Sequence, residues 1–164
     1  MIIRKMEPAD WNAVSHIYTE GLFAGNTTFQ TKCPNWKQWD STHLKACRLV
    51  AEEEGEIRGW AALRPVSSRP VYAGVAEVSV YILEKYRRLG IGSALLRALV
   101  ICSEKAGIWT LQSSILRENS ASLRLHVRCG FRVVGFRERI GRDKYGAWRD
   151  TVLLERRSDK VGIA

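Results

Sequence analysis

The sequence predicts a mixed α/β fold: a central sheet, mostly antiparallel, covered by helices on both sides and holding one parallel βαβ unit. Two stretches carry that prediction. From Ala76 to Ile82, Val78, Val80 and Ile82 alternate with Glu77, Ser79 and Tyr81, the period of two expected of a strand with unlike faces. An amphipathic segment then runs from Ser93 to Gly107, with Ile91, Leu95, Leu99 and Cys102 near one stripe, and a second strand pattern follows at Trp109–Ile115. Strand, helix and strand in that order place the two strands parallel. Upstream, Arg48–Glu54 and Glu56–Leu63 flank Gly55 as an antiparallel hairpin.

Taken in order, Ile2–Lys5 reads as a short first strand. Glu7–Asp10 opens a helix, with Pro8 in the first turn, where a missing N–H costs nothing. Trp11, Val14, Ile17, Tyr18 and Leu22 recur at helical spacing, and Gly21 with Gly25 marks the end. Asn26–Phe29 is a polar loop with one aromatic. A second helix is expected after Pro34, carrying Trp36, Trp39, His43 and Leu44. Arg64–Gly74 is a loop, and Gly107 closes the long helix as a C′ glycine. Asn119 caps a shorter helix, Ser120–Arg128, closed by Gly130. Phe131–Ile140 and Trp148–Glu155 read as the last two strands, and Arg156–Ala164 as a charged, frayed tail. No repeat or linker divides the chain, so residues 1–164 read as one domain.

Twenty-six Lys and Arg against 17 Asp and Glu give a net charge of +9. Such a balance suits an anionic partner: nucleic acid, a polyphosphate cofactor and plain solubility all fit. The dispersed arginines, with no zinc-finger spacing, RNP motif or clustered basic helix, argue against a nucleic-acid module. No apolar run is long enough to cross a bilayer, and the first residues lack a signal-peptide pattern, so the expected location is the cytoplasm. Cys33, Cys47, Cys102 and Cys129 are widely spaced with no accompanying His cluster. Reduced packing thiols, and no metal site, are expected.

Between the Glu77 strand and the long helix stands Arg87-Arg88-Leu89-Gly90-Ile91-Gly92. A helix start offers unpaired N–H groups and about half a positive charge, and two glycines let a ligand approach them. That is a socket for phosphate. A Gly-x-Gly pair is weak alone; the preceding strand, the arginines and the glycine-free amphipathic helix give it content.

The stretch resembles the Gln/Arg-x-x-Gly-x-Gly/Ala signature of the GCN5-related N-acetyltransferase superfamily. A second element of that superfamily, Asn-x-x-Ala/Ser-x-x-Leu-Tyr/His-x-x-x-Gly-Phe, is matched by Asn119, Ser122, Leu125, His126, Gly130 and Phe131. Within it, Tyr72–Tyr81, Gly141–Asp150, and Ile17-Tyr18 followed by Thr27-Thr28-Phe29 resemble the phosphinothricin acetyltransferase group. That group usually shows Thr-x-Glu where this chain has Val75-Ala76-Glu77. The resemblance implies acetyl-CoA as co-substrate and the α-amino group of a small amino-acid analogue as acceptor: phosphinothricin, methionine sulfoximine or methionine sulfone. It implies a detoxifying transferase that commonly forms homodimers. The acetyl-CoA contacts are expected on Val80, Tyr81, Ile82, on Arg88, Leu89, Gly90, Ile91, Gly92 and Ser93, and on Asn119. Physically, a free strand edge at Val80–Ile82 can pair with the pantetheine amides as an added strand, and a bulge there would aim an N–H at the thioester oxygen.

Glu77 is the candidate base and His126 the candidate acid, the latter by its match to the family's tyrosine position. A carboxyl of ordinary pKa ~4.3 facing an amine near ~8 leaves about 5 kcal/mol against direct proton abstraction, so a water-relayed role is favoured. By spacing alone Glu77 also reads as a solvated strand residue and His126 as an ordinary helix residue. Histidines 16 and 43 read as ordinary helix residues. Phe29, Tyr72 and Trp148 are candidates to frame the acceptor, with Lys144 or Arg64 to meet its carboxylate. Alternative readings keep the cofactor but change the acceptor to a polyamine or a protein N-terminus, or make the protein a non-catalytic acetyl-CoA sensor.

Overall fold

The computed structural model describes residues 1–164. Its strands are β1 (Ile2–Lys5), β2 (Leu49–Glu53), β3 (Glu56–Pro65), β4 (Val75–Ile82), β5 (Thr110–Leu116), β6 (Arg132–Arg142) and β7 (Trp148–Arg157). Its helices are α1 (Trp11–Phe23), α2 (Trp36–Thr42), α3 (Ile91–Lys105) and α4 (Ser120–Arg128). The strands form one sheet in the order β1-β2-β3-β4-β5-β7-β6. Only β4 and β5 run parallel, as the βαβ unit requires; the other five pairs are antiparallel.

Alternation along β3 builds two cores. Trp60 and Ala62 pack with Val14, Ile17, Tyr18 and Leu22 of α1 and Trp39 of α2. Ala61 and Leu63 pack on the opposite face with Ile91, Leu95, Leu96 and Leu99 of α3. Each fully buried aliphatic side chain contributes roughly 1.5–3 kcal/mol, so two-sided burial fixes the middle strands most firmly. The long helix begins after Gly90 (φ 84) and stops before Gly107 (φ 82), where the glycines indicated.

Four details differ from the expectation. Gly21 lies inside α1, which continues to Phe23, because a β-carbon there would stand 2.7 Å from the Tyr81 ring. The second helix ends at Thr42, and His43 is extended (φ −113, ψ 146). The Trp39 carbonyl accepts instead from His43 Nδ1–H at 2.8 Å and from the Thr42 hydroxyl at 3.1 Å. Side chains thereby satisfy the acceptor that one more helical turn would have used. At the other end Arg156 and Arg157 do not fray but pair with Leu111 and Thr110. Ser158 is buried and donates to Glu104, which also pairs with Arg156 at 2.9 Å.

The fourth difference matters most for the site. No bulge interrupts β4, whose register with β3 is continuous from Pro65↔Ala76 to Gly59↔Ile82. The strand instead separates from its other neighbour. Parallel pairing of β4 with β5 stops at Glu77↔Gln112, while β5 stays paired with β7 as far as Leu116. No helix is long and apolar enough to cross a membrane.

Candidate active site

The divergence of β4 from β5 leaves a wedge in the middle of the sheet. Leu83 N–H donates to the Arg58 carbonyl at 2.9 Å, which sets the phase of the antiparallel ladder. Alternation back along β4 then turns the N–H groups of Tyr81 and Ser79 to β3, and those of Val80 and Ile82 into the wedge. Two amide donors with no strand partner line the place where an extended, amide-bearing chain can pair.

A cavity of about 730 Å³ follows from this edge toward α3. It is lined by Val80, Tyr81, Ile82, Arg88, Gly90, Ile91, Gly92, Ser93 and Asn119. Leu89, the remaining residue expected at the cofactor, is not among the lining and is 66% exposed. Arg87, Arg124 and Arg128 also face the cavity, and together with Arg88 they make no ion pair within the chain. A glycine at φ 84, the free N–H groups of a helix start and uncompensated guanidinium groups form a fitting cradle for a pyrophosphate. Asn119 caps α4 by accepting from Ser122 N–H at 3.2 Å.

A smaller cavity, about 140 Å³, opens on the α1 side of the wedge. Thr27, Val80, Tyr81, Asn119 and Ser122 line both, so the two spaces meet along β4. Glu77 lines the smaller one, with a single long contact from Gln112 Nε2 at 3.4 Å. Tyr18, Gln30, Arg64, Ser113 and Ser114 complete much of its wall. Tyr81 is stacked between Tyr18 (centroids 4.9 Å) and Trp60 (5.1 Å), and burial pushes its hydroxyl up so that it stays protonated.

His126 also reaches this cavity. Only 3% exposed, it donates from Nδ1 to the Ser122 carbonyl at 2.7 Å, while its Nε2 has no partner. A carbonyl only accepts, so the proton sits on Nδ1 and Nε2 carries a lone pair. Burial lowers the pKa, keeping the ring neutral. The expected general acid is therefore arranged as an acceptor.

Phe29, Tyr72, Lys144 and Trp148, the residues expected to frame the acceptor, line neither cavity. Phe29 sits against Gly141, and Tyr72 is half exposed beside Arg69. Lys144 lies near the Phe23 ring, and Trp148 is covered by Arg142. His43, which read as an ordinary helix residue, lies behind Arg64 and receives a hydrogen bond from its Nε at 3.2 Å. No local pattern signals that contact, since the two residues are 21 positions apart.

The sequence profile of the acetyltransferase (GNAT) family matches residues 11–131. The chain is 32% identical to a phosphinothricin N-acetyltransferase of Alcaligenes faecalis, over 94% of this chain and 81% of that one. It is 28% identical to the L-methionine sulfoximine/L-methionine sulfone acetyltransferase of Pseudomonas aeruginosa, over 99% and 97% of the two chains. Among solved structures, a GNAT superfamily phosphinothricin acetyltransferase from Sinorhizobium meliloti in complex with AcCoA superposes with a TM-score of 0.89 at 26% identity, covering 99% of this chain and 91% of that one. The chain belongs to the GNAT family of acetyltransferases. Within it, the chain is an N-acetyltransferase similar to the phosphinothricin acetyltransferases.

Proposed function

We propose that this protein transfers the acetyl group of acetyl-CoA to the α-amino group of a small amino-acid analogue of the phosphinothricin, methionine sulfoximine or methionine sulfone type. One observation carries the reading: a long basic cavity and a small polar one meet at an unpaired stretch of β4, with Glu77 in the wall of the smaller. Acetyl-CoA supplies an activated acyl group, and the N–H groups of Val80 and Ile82, with the α3 start and its arginines, would hold it.

The chain's own residues then have three tasks. Glu77 orients the ammonium group and takes its proton through water, which frees the nitrogen lone pair to attack the acyl carbon. The Val80 N–H, facing the wedge, is a donor for negative charge developing on the acyl oxygen. His126 Nε2 accepts a hydrogen bond from an ordered water or the acceptor at the back of the cavity. The departing thiolate is protonated from solvent. Relatives named for phosphinothricin and for methionine sulfoximine and sulfone support this acceptor class over polyamines and protein N-termini.

Incubation with acetyl-CoA and a panel of small amines, read as release of free thiol, tests the reading. Turnover with methionine sulfone or phosphinothricin is expected. Thiol release only with spermidine or peptides moves the acceptor to the alternative class, and none with any amine leaves a cofactor-binding sensor.

A further inference from the structure

We infer that residues 25–29 form a strap along the junction of the two cavities, held in place by Arg149 and Gly141 of the β6–β7 hairpin for acceptor and cofactor alike. The inference rests on the acetyltransferase reading and adds to it the residues that position the wall shared by both cavities.

The strap follows α1 and is fastened to the hairpin at both ends. At its start, Arg149 Nη2 donates to Asn26 Oδ1 at 2.7 Å and Nη1 to the Gly25 carbonyl at 3.4 Å. At its end, the Phe29 ring sits over Gly141, where a β-carbon would stand 3.1 Å from Phe29 Cζ. Gly141 and Arg149 are directly opposed on β6 and β7, so one face of the hairpin presents both fasteners. Between them, Thr27 lines both cavities and Thr28 the smaller one. Neither Arg149 nor Phe29 lines a cavity, so each acts through the strap.

Arg149 is itself held still. Its side chain is only 13% exposed and pairs with Asp143 at 3.2 Å and with Glu118 at 3.0 Å. Asp143 in turn accepts from the N–H groups of Tyr145 and Ala147, at 2.9 and 3.0 Å, so the hairpin turn fixes the carboxylate that aims the guanidinium. Glu118 stands in the wall of the larger cavity, just before α4. One guanidinium thus joins the strap, the hairpin and the entry to α4 through the fork of donors that arginine offers and lysine does not. On the inner side, the Thr27 hydroxyl donates to the Gly21 carbonyl of α1. A wall ordered during folding spares the ligands the entropy of ordering it when they bind.

Arg149 and Phe29 are therefore positioning residues. Arg149→Met cuts the polar fastener, and Gly141→Val puts methyl groups in the seat of the Phe29 ring. Each is expected to raise KM for methionine sulfone and the calorimetric Kd of CoA by about fivefold or more, with kcat held within about twofold. A purely structural part would lower the folded fraction, so a fall in kcat with KM and Kd unchanged overturns the inference. The two changes together are expected to do little more than either alone, because a strap freed at one end has already lost its order. Effects that multiply overturn it. Restoration of CoA affinity to Arg149→Met by Glu118→Gln traces the loss to a freed carboxylate and overturns it as well. Chymotrypsin reads the strap without any variant: cleavage after Phe29 is expected at about a tenth or less of the rate after Tyr145, which is 80% exposed in the hairpin turn. Equal rates overturn the strap. CoA affinities and cleavage as expected, with no thiol release from any amine, leave the strap standing and overturn acetyl transfer.

Discussion

The Trp109 indole fills the space where a β-carbon on Gly74 would stand, with Trp109 Cε3 only 2.0 Å from that position. The Gly74 carbonyl also accepts from the N–H groups of Trp109 and Thr110, at 2.8 and 3.0 Å. These contacts join the starts of β4 and β5, so the strands can part beyond Glu77 without separating altogether. Gly74→Ala is expected to displace the indole at a cost of about 1–3 kcal/mol, read as a lower urea midpoint. An unchanged midpoint would mean that the joint yields without cost.

For Glu77→Gln, the shape of the cavity wall is kept and the charge is lost. Turnover is expected to fall by about 10²–10⁴, the usual range for a group that moves a proton, with acetyl-CoA affinity unchanged. Steady-state kinetics beside equilibrium binding of the cofactor separate the two. Undiminished turnover removes Glu77 from the mechanism.

His126 is a buried, neutral imidazole. Its ¹⁵N shifts should report a neutral ring protonated at Nδ1 at pH 7, because the Ser122 carbonyl accepts a hydrogen bond from Nδ1–H and burial disfavours the cation. A proton on Nε2 instead would return His126 to the role of donor. Replacing it by Phe, which keeps the edge contact with Phe131, should lower turnover more than stability.

Acid lability should trace partly to His43. An unfolded imidazole titrates near ~6.5, whereas burial, helped by the charges of Arg64 and Arg48, lowers the folded value to about 4. Between those values the unfolded chain binds more protons, so stability falls as the pH drops below 6.5, with the loss complete near 4. The gap corresponds to roughly 3 kcal/mol, and His43→Phe should flatten the slope of stability over that window. Identical slopes for the two proteins would contradict the assignment.

Gly90 opens α3 with a left-handed backbone, φ 84. An alanine there meets no neighbour but must adopt a left-handed backbone, so Gly90→Ala should cost about 1 kcal/mol and weaken acetyl-CoA binding together. Parallel chemical denaturation and cofactor titration check both.

Local signals made one side of the site legible. The alternation of Val78, Val80 and Ile82 with their polar neighbours fixes β4, and Gly90 and Gly92 fix the start of α3, because these features depend on residues adjacent in the chain. The wedge is different: it arises where pairing of β4 with β5 ends, a long-range event that no run of residues announces. The same holds for Arg64. Its apposition to Glu77 depends on the β3–β4 register across a loop, and its contact with His43 depends on α2 stopping at Thr42, before His43 and Leu44. Residues chosen by resemblance alone, such as Lys144 and Trp148, stand on the outer β6–β7 hairpin.

The wedge also sets a rhythm of solvent exchange. Amides at the centre of a sheet ordinarily exchange only when the domain unfolds. Those of Val80 and Ile82 face no strand, so they should exchange like loop amides while Tyr81, bonded to β3, remains slow. A bound acyl carrier would silence that alternation, turning the middle of β4 into a residue-by-residue recorder of occupancy.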